Sequence, residues 1–98
     1  MNYEVEGLEI VGGSKPFRGP DGSQCESVDY KTPNGTRFCL AKDAMGIQFC
    51  LDGCFWPSSQ PLPSMEKAVA LLRSNTDLAI TFFDEVRKRK DERTEVHH

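Results

Sequence analysis

The hydrophobic positions of this chain change their period once. Up to residue 57 they alternate in short runs separated by turn formers; from Ser64 onward they recur every three or four residues. Alternation puts every second side chain on one face of a strand, whereas the longer spacing draws a stripe along a helix. Between the two parts, "PSSQPLPS" at 57–64 suits neither a helix nor a central strand. The pattern predicts one α+β domain. An antiparallel β-meander of three to five strands occupies 1–57, a Pro/Ser linker 58–63, and two helices 64–92 pack on one sheet face. Residues 93–98 form a tail.

The first segment, "YEVEGLEIV", reads as a short strand, with Glu4 and Glu6 on one side of it, followed by the turn-rich loop "GGSKPFRGPDGS". Turn chemistry then sets the register of the remaining strands. "TPNG" at 32–35 suits a type I turn with Pro33 second and Gly35 in the left-handed position of a bulged hairpin. That turn sets Tyr30 opposite Phe38 and Val28 opposite Leu40. A four-residue connection over "DAMG", 43–46, pairs Leu40 with Phe49 and Phe38 with Leu51; a three-residue one would divide the apolar set between two faces. Burial selects the first, so Val28, Tyr30, Phe38, Leu40, Phe49 and Leu51 share a face. "DG" at 52–53 suits a two-residue hairpin into "CFWP", with Cys54 opposite Leu51.

In the helical part Ser64 is a good N-cap, and Met65, Ala68, Val69 and Leu72 fall on one face. "SNTD" at 74–77 interrupts with residues that favour caps, and Leu78, Ala79, Phe82, Phe83 and Val86 resume the stripe. One long bent helix is the alternative to two. Contact with the sheet is expected through Met65, Val69, Leu72, Ile80, Phe83 and Val86.

The same register decides what the four cysteines can do. It places Cys39 opposite Cys50 on the second sheet face, close enough for a disulfide or a redox pair. Cys54 belongs to the Phe/Leu face, and Cys25 lies about four residues along its strand from Cys39's level, or ~13 Å. A zinc site made of Cys25, Cys39, Cys50 and Cys54 would need all four sulfurs on one tetrahedron. The spacing C-x13-C-x10-C-x3-C lacks the paired short knuckles of zinc ribbons. Three readings stay open: reduced cysteines packed as small hydrophobes, a Cys39–Cys50 thiol pair, and structural zinc. No other cofactor is implied.

Composition and charge narrow the functional classes. Ninety-eight residues make one modest core, and no run approaches the ~20 apolar residues that span a bilayer. The start lacks the basic and apolar regions of a secretory signal, so a cytoplasmic, thiol-reducing setting is expected. Net charge is −3, with eight acids against five bases in residues 1–64 and seven of each in 65–98. Residues 87–90, "RKRK", could meet phosphate, but acids follow at once, and cations at a helix C-terminus explain them. Nucleic acid is therefore an unfavoured partner. His97 and His98 resemble the stub of a purification tag. Without them the chain has no histidine, which removes Ser-His-Asp, Cys-His and His-metal chemistry. Carboxylate pairs Glu4/Glu6 and Asp84/Glu85 remain, each more simply read as a solvated face, and "VGGS" at 11–14 matches no phosphate-binding loop.

Aromatic loops point elsewhere. Phe55 and Trp56 beside the prolines, and Phe17 and Arg18 on a polar loop, either cover the core or anchor a partner protein. The expectation is a small non-enzymatic interaction module acting as adaptor, regulator or inhibitor. A zinc-stabilised module touching nucleic acid through its basic helix is the alternative, and a thiol/disulfide redox protein is third. The second sheet face, carrying Cys39, Ala41, Gln48 and Cys50, is unusually apolar for solvent. A homodimer through it, or cover from the N-terminal segment, would relieve that.

Overall fold

A computed structural model of the chain describes residues 2–12, 17–18, 24–43, 46–57 and 60–96, with the side chains of residues 17, 18, 24–26, 43 and 93–96 outside that description. Eight elements run in order: β1 (Glu9–Gly12), β2 (Phe17–Arg18), β3 (Gln24–Lys31), β4 (Arg37–Asp43), β5 (Gly46–Leu51), β6 (Cys54–Trp56), α1 (Met65–Ser74) and α2 (Thr76–Val96). The strands form an antiparallel sheet in the order β1-β3-β4-β5-β6, with β2 pairing β3 beyond β1. Strands precede helices, and the fold is the α+β meander with two helices that the period change predicts.

Local chemistry explains each turn. At the β3–β4 connection Gly35 donates to the Thr32 carbonyl at 2.9 Å with φ +91°, the left-handed position that a bulged hairpin requires. The resulting ladder pairs Tyr30 with Phe38 and Val28 with Leu40. Across β4–β5, Leu40 pairs with Phe49 and Cys39 with Cys50. This is the expected register, although the ladder closes further, to Asp43 opposite Gly46, and Ala44 and Met45 lie outside the described residues. Asp52 and Gly53 both take positive φ (50° and 78°), as a two-residue hairpin demands, and Leu51 meets Cys54.

The core lies between one sheet face and the helices. Val28, Tyr30, Phe38, Leu40 and Phe49 are at most 2% exposed and cluster with Val69, Leu72, Ala79 and Phe83. Phe83 stacks on Phe38 with ring centroids 4.2 Å apart, which places α2 directly over β4. Ser64 caps α1 by accepting from the Lys67 amide. The helices break at Asn75, whose side-chain amide donates to the Leu71 carbonyl while the Thr76 hydroxyl donates to that of Leu72. Those groups occupy acceptors that a continuing helix would use.

Three expectations need correction. Leu78, assigned to the apolar stripe, is 63% exposed. Ala79 and Phe83, seven and eleven residues after Leu72, keep its helical phase and face the sheet, whereas Leu78, six residues on, lies about 240° round the helix and turns outward; Ile80 and Val86 are half-buried. The N-terminal strand covers only Glu9–Gly12. Glu4 and Glu6 precede it in a non-strand segment that turns at Glu6–Gly7, where the Leu8 amide donates to the Val5 carbonyl. This segment is tied to the helical layer: Val5 enters the core, and the Arg73 guanidinium donates to the carbonyls of Glu4 and Asn2. α2 also runs four residues past the expected end, to Val96.

Candidate functional site

The sheet's two faces differ in what they carry. Opposite the helices, register lines up Asp29, Cys39, Cys50 and Phe55 as direct neighbours across β3, β4, β5 and β6. A second row runs Ser27, Ala41, Gln48. All are half-buried except Asp29, which is exposed. Of the N-terminal segment, Val5 enters the helix-side core with Tyr3 and Leu8 packed against it, while Gly12 pairs with Asp29 at the edge of this face.

Within the first row the Cys39 and Cys50 Sγ atoms lie 3.3 Å apart as free thiols. Their mutual hydrogen bond, burial and the nearby Asp29 carboxylate push the Cys39 thiol well above its ordinary range. Cys39 therefore stays protonated at neutral pH, unlike an activated nucleophile.

The other cysteines do not converge on this pair. Cys54 is exposed and pairs with Leu51, whose parity belongs to the helix side. Cys25 pairs with Phe17, four residues along β3 from Asp29, the neighbour of Cys39. Among the described residues, no group of three or more His, Cys, Asp or Glu is placed to hold a metal ion.

The four residues read as partner-binding separate in a similar way. Trp56 is 8% exposed and packs edge-on against Phe49 at 5.7 Å, so its ring is a core element. Phe55, one residue earlier, points to the opposite face and is half-buried. Strand alternation alone separates these two neighbours. The backbone of Phe17 and Arg18 forms β2 against β3, and their side chains lie outside the described residues.

One polar constellation escaped the sequence reading. Asp84, on α2, accepts from three side chains of the β3–β4 turn: Thr36 Oγ1 at 2.5 Å, Asn34 Nδ2 at 2.6 Å and Thr32 Oγ1 at 2.9 Å. Burial opposes ionisation of Asp84, but those bonds and the Arg87 charge outweigh it, and its pKa is lowered. Arg87 in turn donates to the Asn34 carbonyl. The signal was three side-chain donors in "TPNGT", of which Thr32 and Thr36 are buried and so require an acceptor. Asp84 thus clasps the turn to the helix, while Glu85 beside it is exposed. The basic cluster is similarly divided: Arg87 serves the clasp, Lys90 pairs with Asp52 at 3.2 Å, and Lys88 and Arg89 are exposed.

Comparisons with protein-family models, with curated proteins and with solved structures found no match to this chain. Among the described residues no helix is long and apolar enough to cross a membrane.

Proposed function

We propose that this chain is a small non-enzymatic interaction module, acting in the cytoplasm as an adaptor, regulator or inhibitor of a partner protein. It engages that partner through the sheet face opposite the helices. The observation that carries this reading is the inequality of the two faces. One holds Tyr30, Leu40 and Phe49 at 0% exposure beneath the helices. The other offers Phe55, Cys39, Cys50 and Ala41, half-buried and in adjacent rows, bordered by exposed Asp29 and Arg37. A small apolar patch with a charged rim is the usual anatomy of a protein interface. Trp56 and Asp84 are engaged in holding the fold together.

The test is affinity capture from source cells, followed by direct titration of the captured partner with purified variants. Phe55→Glu and Ala41→Arg charge the proposed face, and Lys88→Glu alters the helix surface as a control. Weakening by about tenfold or more (1.4 kcal/mol) for the face variants alone supports the assignment. Equal affinity in all three variants, each shown to fold by circular dichroism, overturns it. A second copy of the chain as the captured partner would show as a dimer in light scattering.

A further inference from the structure

Cys39 and Cys50 occupy a position that neither strand can leave. They are direct partners in the β4–β5 ladder, flanked by the Leu40–Phe49 pair whose burial pins the register. Directly opposed residues hold their Cα atoms ~4.5–5.5 Å apart, inside the span that a disulfide accepts. Their Sγ atoms already touch at 3.3 Å, so bond formation asks for side-chain rotation and no movement of the sheet. Both side chains are half-buried, and both lie on the face away from the helices, so the core is not disturbed.

We propose that Cys39 and Cys50 form a reversible dithiol–disulfide latch, closed by a low-molecular-weight disulfide such as glutathione disulfide and reopened by the corresponding thiol. One cysteine, as its thiolate, attacks a sulfur of glutathione disulfide. A mixed disulfide forms and one glutathione thiolate leaves. The second cysteine then loses its proton and attacks the protein-side sulfur, so the internal S–S bond forms as the mixed bond breaks and a second glutathione thiolate departs. Two protein thiols have given up two electrons and two protons; one glutathione disulfide has become two glutathione thiols. No other oxidant is required.

The surroundings set the pace of closure. The attacking species is the thiolate, and the shared proton, burial and Asp29 all keep Cys39 protonated. Closure is therefore slow at neutral pH and accelerates up to about tenfold per pH unit in the alkaline direction. Asp29→Asn, which removes the adjacent negative charge, speeds it. A latch of this kind responds to a sustained oxidising shift and ignores a brief one.

The experiment equilibrates the full chain in glutathione buffers of rising disulfide share at pH 7 and pH 8.5. Each sample is quenched by alkylation, cleaved after Lys and Arg, and read by mass spectrometry. The expected product is segment 38–42 linked to segment 43–67, formed equally in a Cys25→Ser/Cys54→Ser double variant, lost in Cys39→Ser, and reduced again by excess glutathione. The linked form unfolds at a higher temperature than the dithiol. Three results overturn the latch: a stable mixed disulfide on Cys39 or Cys50 without the internal link, reduced Cys39 and Cys50 beside glutathionylated Cys54, or a link that forms only in urea. The readout is covalent and needs no partner, so it stands or falls separately from the interaction reading.

Discussion

The Asp84 clasp is the most demanding test of how the two layers are held together. Asp84→Ala removes the acceptor of three side-chain donors at once. Thr36 is 0% exposed and has no water to turn to. Losing a charged acceptor for a buried hydroxyl costs ~1.5–3 kcal/mol. Thr32 is 2% exposed, but its Oγ1 also accepts from the Thr36 amide, so it keeps one bond and contributes about 1 kcal/mol more. Asn34 is exposed and rehydrates at little cost. The sum is about 3 kcal/mol, a large part of the ~5–10 kcal/mol expected of a domain this size. Asp84→Asn keeps an amide oxygen as a neutral acceptor and should lose about 1–2 kcal/mol.

Equilibrium urea unfolding followed by tryptophan fluorescence measures both losses, with the denaturant slope unchanged. The sign of the pH dependence follows from the lowered pKa of Asp84 in the folded state. A carboxylate of this kind adds stability above its unfolded pKa, near 3.8, and that stability disappears as pH falls through the lower folded value. The gap between wild type and Asp84→Asn should thus be constant from pH 7 to about 5 and shrink below pH 4. A loss under about 1 kcal/mol for Asp84→Ala, or a gap that persists unchanged to pH 2, would refute the clasp.

Other expectations follow from the same packing. Phe83→Ala, removing the ring stacked on Phe38 at 0% exposure, should cost about 3–5 kcal/mol in urea unfolding. Trp56→Ala should cost a similar amount and Phe55→Ala about 1 kcal/mol, although the two are adjacent; equal losses would contradict their opposite facing. Tyr30 donates its hydroxyl to the Tyr3 carbonyl at 2.6 Å, and burial pushes its pKa up to about 12. An ultraviolet titration should find one phenol ionising late, absent in Tyr30→Phe. Because the folded value lies above the unfolded one, stability falls as pH climbs from 10 toward 12, and Tyr30→Phe should flatten that decline.

Much of the fold was legible along the chain because its information is short-range. Pro33 and Gly35 define one turn and Asp52-Gly53 another, and between them the alternation of Phe38, Leu40, Phe49 and Leu51 admits one register. The opposition of Cys39 and Cys50 follows from that register without further assumption. Ser64 and the break near Asn75 were readable from capping chemistry for the same reason.

What sequence alone did not settle depends on groups that meet across long separations. The Asp52-Gly53 hairpin already puts Trp56 opposite Phe49, but that its ring is held as a core element is seen only in its 8% exposure and edge-on packing. Leu78 is as apolar as its neighbours, and only the contact of Ala79 and Phe83 with the sheet shows which side of the helix is buried and leaves Leu78 in solvent. Asp84 looks like any helix carboxylate until Thr36, 48 positions earlier, is brought within hydrogen-bonding reach. The chain by itself determined its strands, turns, register and paired thiols, since these rest on alternation and on the dihedral preferences of neighbouring residues. Only the tertiary structure decided how far each side chain is buried between the layers, and so which helix residue turns to solvent and which carboxylate becomes a clasp. Those outcomes depend on close contact between side chains that no local pattern brings together.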